Sequence, residues 1–138
     1  MAKRRLSGSF RDPSGYVFSE GGRLFRRITE AGERDFSRFI NSGLAEKLAQ
    51  EGKIVPFELS ERDDTLLELE KLPFITYPYE WSFSQLRDAA LLTLELAREA
   101  LRHDMVLKDA SAFNIAFRKG RPVFMDHTSF TGYRENEP

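Results

Sequence analysis

The chain has 138 residues, no cysteine and a formal net charge of −1. This length suits one domain or part of one, and 41% hydrophobic with 31% charged residues marks a globular rather than a disordered chain. The missing cysteines exclude a disulfide framework, a cysteine-based zinc site and a thiol nucleophile, and fit a reducing cytoplasm. Near-neutral charge gives no strong nucleic-acid signal, and no apolar run approaches the ~20 residues of a membrane span.

In chain order, Lys3, Arg4 and Arg5 head a basic N-terminal stretch that reads as a solvated terminus. Tyr16–Phe18 and Arg23–Ile28 are strand-like runs, and Gly21-Gly22 between them supplies hairpin chemistry. Glu30–Gln50 reads as one helix, with Phe36, Phe39, Ile40, Leu44 and Leu48 on its apolar face and Gly52 as its stop. Ile54–Leu59 and Thr65–Leu72 are two more strands around a charged turn, the first marked as an edge by Pro56.

Pro73–Trp81 is aromatic and proline-punctuated, so it connects rather than continues. Ser84 is the expected N-cap of a helix over Gln85–His103. Its apolar face is read as Leu86, Ala89, Ala90, Thr93, Leu94, Ala97, Ala100 and Leu101, with Glu95 and Glu99 on a solvated side. His103 suits the helix C-terminus as a cap. Met105–Leu107 is a short buried run. Ile115–Phe117 and Pro122–Met125 then form a hairpin across Arg118–Arg121. The expected class is α+β: a small antiparallel sheet with one helix, then a long helix and a final hairpin.

That hairpin carries the chemistry. It folds Asn114, before its first strand, back beside Asp126, after its second, and Asp109 lies five residues before Asn114. Carboxylate, amide and carboxylate form a hard-oxygen set suited to Mg²⁺, and a nearby aspartate accepts a proton from an attacking hydroxyl. The same residue types also bond to their own backbone in tight loops, which is the competing account of all three. His127 borders this expected pocket.

The order D-x-x-x-x-N, hairpin, D resembles the catalytic core of the protein-kinase-like superfamily. The resemblance implies a reduced N-lobe over 15–72, a hinge over 73–82 and the start of a C-lobe over 83–138. It implies ATP and Mg²⁺ as cofactors, Asp109 as catalytic base, and Asn114 and Asp126 as metal ligands. Arg26, Lys108, Tyr77, Tyr79 and Glu80 would be nucleotide contacts, with the backbone of Tyr77–Glu80 facing the adenine and Trp81 among the rings able to stack on it. Arg26 or Arg27 would replace the strand lysine, paired with Glu46 on the helix.

The chain departs from the superfamily at Leu107, where a histidine is usual, and at His127-Thr128, where Phe-Gly is usual. It also stops where an activation segment begins in kinases. The resemblance therefore implies an exposed apolar face around the long helix, open to an oligomer or a partner domain, and a site that is either active or degenerate.

A closer resemblance is to the N-terminal region of bacterial nodulation-protein-like, S-adenosylmethionine-dependent methyltransferases. It rests on RDPSGYVFSEGGRLFRRI, ITYPYEWSFSQLRDAALLTLELAREAL and LKDASAFNIAFRKGRPVFMDHTSF. It implies S-adenosylmethionine only through a downstream or partner methyltransferase domain, because no G-x-G-x-G segment is present. A scaffold without nucleotide, or the N-terminal part of a methyltransferase, are the rival functions.

Overall fold

The computed structural model describes residues 4–5, 14–73 and 75–133. Lys3 and Phe74 lie outside them. The chain is α+β, as expected. Strands β1 (Arg4–Arg5), β2 (Gly15–Glu20) and β3 (Arg23–Ile28) precede helices α1 (Glu30–Asn41) and α2 (Leu44–Gln50). Strands β4 (Phe57–Leu59) and β5 (Leu66–Leu69) complete an antiparallel sheet of order β1-β2-β3-β5-β4. Helix α3 (Phe83–Arg102) is followed by β6 (Met105–Leu107), β7 (Ile115–Arg118), β8 (Arg121–Phe124) and β9 (Phe130–Gly132). β6 pairs with β9 and β7 with β8, both antiparallel.

Local chemistry sets most of these boundaries. The β2–β3 hairpin turns through Gly21 and Gly22, both at positive φ (61° and 78°), which costs glycine little. α1 begins after extended Thr29 with Glu30 and Glu33 in its first turn, where carboxylates suit the positive end of the helix. The N-cap of α3 is Ser82, not Ser84. Its Oγ accepts from Gln85 N at 3.2 Å, and the Gln85 Oε1 accepts from Ser82 N at 2.9 Å, a reciprocal capping box.

Four other expectations are corrected. The single helix over Glu30–Gln50 is two, because Gly43 sits at φ 85° and breaks the run. Arg4–Arg5 are not a loose terminus but pair with Phe18 and Ser19. The strand expected over Ile54–Leu59 is split: only Phe57–Leu59 joins the sheet. Ile54 bridges Phe124 in parallel, and Val55 N donates to Phe124 O at 2.9 Å. The Pro73–Trp81 connector contains one 3-10 turn, Pro78–Glu80.

A further correction is rotational. α3 buries Ala89, Leu92, Leu96 and Ala100. Leu86, Leu94 and Leu101, assigned above to its buried face, are exposed. Glu99, expected in solvent, is 7% exposed. It accepts from Lys47 Nζ at 2.6 Å and Arg102 at 3.1 Å, and the Lys47 bond chiefly holds its carboxyl below the usual range. Glu95 stays at the surface beside Lys53. His103 caps the helix as expected, its Nδ1 lying 2.9 Å from Glu99 O.

One core runs through all the layers. Ile28 and Leu67 of the sheet, Phe36 and Phe39 of α1, Leu44 and Leu48 of α2, and Leu96 of α3 belong to one buried cluster. Phe39 stacks on Phe130 of β9 at 4.4 Å between ring centres, and Phe124 meets Phe130 edge-on at 5.9 Å. Asp35 of α1 adds a polar tie to β9, accepting from Thr131 Oγ1 at 2.9 Å and Gly132 N at 3.2 Å. The sheet and the β7–β8 hairpin are thus fixed against each other.

Truncation on α3 separates its two faces. Leu96→Ala removes a fully buried side chain and is expected to cost about 2–5 kcal/mol in urea unfolding. Leu94→Ala, at 67% exposure, is expected to change stability by less than about 0.5 kcal/mol.

Candidate functional site

The site lies where β3 meets the turn after β8. Asp126 leaves β8 through Met125 and is half-buried. Its Oδ1 accepts from Thr128 N at 2.9 Å and from Thr128 Oγ1 at 2.6 Å, and its Oδ2 accepts from Ser129 Oγ at 2.8 Å. Arg26, buried on β3, places Nη1 at 3.2 Å from the same Oδ1 and donates through Nη2 to Met125 O at 3.3 Å. Burial alone would raise the Asp126 pKa. The Arg26 charge and the Thr128 and Ser129 hydrogen bonds outweigh it and hold the carboxyl below its usual range.

His127 is 1% exposed and is a core residue rather than the rim of a pocket. Its Nε2 lies 2.8 Å from Val55 O, to which the neutral ring donates, and Phe57 meets the ring edge-on at 4.9 Å. Nδ1 is buried without a hydrogen-bond partner. Burial, then Arg26, lowers the pKa to about 4, against weaker opposing pulls from the Val55 carbonyl and Asp126.

The other expected residues fall around this centre. Asn114 closes a 3-10 turn, Ala112–Asn114, and its C=O accepts from Met125 N at 2.7 Å, so the hairpin does bring Asn114 to the residue beside Asp126. Its Nδ2 donates to Asp109 O at 3.5 Å. Asp109 is exposed, and its Oδ1 accepts from Ser111 N at 2.8 Å, a local turn closure. Lys108 donates its Nζ to Ser14 Oγ at 2.8 Å and its backbone N to Ser129 O at 2.7 Å.

The connector is partly self-satisfied. Tyr77 and Tyr79 are exposed and stack on each other at 5.5 Å. Glu80 Oε1 accepts from Tyr77 N at 2.9 Å, and Glu80 N donates to Tyr77 O at 2.8 Å, so both polar backbone groups of Tyr77 are engaged. Trp81 is buried. It donates Nε1 to Thr76 Oγ1 at 3.0 Å and packs edge-on against Phe117, so it is core and not a stacking platform.

Glu46 does not meet either arginine. It is exposed and accepts from Gln50 Nε2 at 3.4 Å. Arg27 pairs with Asp63 and donates to Thr65 Oγ1 at 3.1 Å, which leaves Arg26 as the arginine at the site. Sequence reading missed Thr128, Ser129 and Val55. The signal for Thr128 was present, since an Asp two residues before a Thr is a common local capping pair. Val55 carries no such signal, because it acts through its carbonyl from 72 residues away.

Mg²⁺ takes six oxygen ligands at about 2.0–2.1 Å. In this arrangement the residues do not fit it. Both oxygens of Asp126 accept hydrogen bonds, Arg26 already neutralises the carboxylate, and Asp109 is turned into its own loop. Among the described residues, no three His, Asp or Glu side chains are grouped to hold a metal ion. Nor, among them, is any helix long and apolar enough to cross a membrane.

No protein-family model matches the chain. It is 37% identical over 142 aligned residues to Nodulation protein NoeA of Rhizobium meliloti (strain 1021). The match takes in 96% of this chain but 29% of that protein, so the chain spans less than a third of the relative's length.

The buried imidazole sets the acid stability. Free histidine titrates near 6.5 and folded His127 near 4, so between those values the unfolded chain binds a proton that the folded chain refuses. Stability is expected to fall by about 3 kcal/mol across that window. The Asp126 contribution is lost only at lower pH, as its own depressed folded pKa is passed. Urea unfolding at pH 7, 6 and 5 checks this: the wild type weakens with acid, and His127→Gln flattens the slope.

Proposed function

We propose that the chain is a kinase-like domain that takes up an adenine nucleotide without transferring its phosphate, as a regulatory part of a larger nodulation-type protein. One observation carries the reading. Arg26 lies on the third strand, where kinases place their phosphate-binding lysine, and it pairs with Asp126, which follows the hairpin as the kinase metal-binding aspartate does. The antiparallel sheet, the inserted helices α1 and α2, and the long helix before the Asp109–Asn114 loop support it.

In this reading 15–72 is a reduced N-lobe, 73–82 a hinge, and 83–138 the start of a C-lobe. Asp109 occupies the base position, and Asn114 and Asp126 the metal-ligand positions. Tyr77, Tyr79, Glu80 and Lys108 border the nucleotide. Transfer would need a bound metal ion and a positioned base. The engaged oxygens of Asp126 and the turn-bound Asp109 favour binding without turnover. Any S-adenosylmethionine chemistry belongs to the remainder of such a protein.

A second reading is a scaffold that has lost nucleotide altogether. It is favoured by Tyr77, whose backbone N–H and C=O are consumed within the connector's own turn.

Thermal unfolding with millimolar ATP separates the two. A ligand at 100 times its Kd adds about 2.7 kcal/mol of stability, or several degrees in Tm for a domain of this size. We expect a rise of that order, equal in Mg²⁺ and in EDTA, and smaller in Arg26→Ala. No rise at millimolar ATP hands the function to the scaffold reading. A rise that needs Mg²⁺ and disappears in Asp126→Ala restores Asp126 as a metal ligand.

A further inference from the structure

Helix α3 is apolar on two faces, and only one is covered. Ala89, Leu92, Leu96 and Ala100 are buried. On the other side Phe83, Leu94 and Leu101 are separated by eleven and seven residues, both close to whole helical turns, so they form one line. They are 81%, 67% and 53% exposed, with Leu86 at 45% and Leu91 at 50% on their shoulders. A contiguous exposed apolar patch marks an interaction site.

Two charges define what fits. Arg87 and Arg98 flank the line on the Leu91 side. Arg98 makes no ion pair among the described residues, and Arg87 only a 3.8 Å contact with its neighbour Asp88. A second copy is a poor occupant. Antiparallel pairing centred on this stripe keeps both arginines on one flank and sets Arg87 beside Arg98 of the other copy. Like charges so placed are destabilising. A partner helix with carboxylates beside an apolar ridge suits both features. A source is at hand, because the greater part of the Rhizobium meliloti relative lies outside the matched stretch.

We propose that the outer face of α3 docks an acidic amphipathic helix from the part of a nodulation-type protein that lies outside this stretch. The docked helix buries Phe83, Leu94 and Leu101 and sets its carboxylates against Arg87 and Arg98. This does not depend on nucleotide binding.

This chain has no cysteine, so each variant carries a single thiol within it, and labelling is read at that position by peptide mass. Leu94→Cys places one thiol on the face, and Glu61→Cys, in the exposed β4–β5 turn, is the control. Maleimide labelling rates are compared in the 138-residue chain and in a chimera where it replaces the matched stretch of the Rhizobium meliloti protein. Expected are rapid labelling of both thiols in the chain alone, and at least a tenfold slowing at position 94 only in the chimera. Arg87→Glu with Arg98→Glu is expected to restore the rate. Equal rates at position 94 in chain and chimera overturn the proposal. So does a protected thiol in the chain alone with a dimer mass by sedimentation, since a second copy then covers the face. Slowing that survives the double charge reversal overturns the acidic partner.

Discussion

A charge in a protein interior is tolerated only when it is paired and hydrogen-bonded. Arg26 and Asp126 meet that condition together, and much of the molecule is arranged so that they can. Arg26 reaches from the sheet to the turn after the last hairpin. Asp126 is held in place by Thr128 and Ser129. The next residue, His127, is anchored from the other side by the Val55 carbonyl, and Val55 N in turn bonds to Phe124. Removing either partner leaves an uncompensated charge in a nearly closed space.

The same pair decides the chemical character of the site. A carboxylate committed to a guanidinium and three hydrogen bonds is a structural group first. The geometry that recommends Asp126 as a metal ligand is thus spent on joining sheet to hairpin, and the neutral His127 beside it adds no charge for a ligand. Asp109 and Asn114 are close by but turned to local backbone. In the proposed reading this arrangement favours recognition over turnover.

The apolar groups follow a parallel logic. Stacked Phe39 and Phe130 tie α1 to β9, and Leu96 and Met105 extend the same cluster to α3 and β6. This inner core is satisfied. The outer line of α3 is not, so the long helix stands at the edge of what these residues cover themselves.

Much of the fold was legible in the sequence, because its signals are local. Glycines at Gly21 and Gly22 mark a hairpin through their positive φ, and the spacing of Phe36, Phe39, Leu44 and Leu48 marks a buried helical side. The juxtaposition of Asn114 with the end of β8 follows from hairpin geometry alone. Other features were decided only by tertiary structure. The apolar arc of α3 is about half its circumference, wider than one contact needs, so periodicity alone does not say which part meets the core; packing against β6 and β8 chose the Leu92 and Leu96 side. The run after Gly52 reads as one strand, yet Ile54 and Val55 bond to β8 while Phe57–Leu59 join the sheet. Nor does the sequence around Asp126 reveal its partner, since Arg26 lies 100 positions away. Local sequence determined which elements form. Long-range burial determined which face each presents and which charges must neutralise one another.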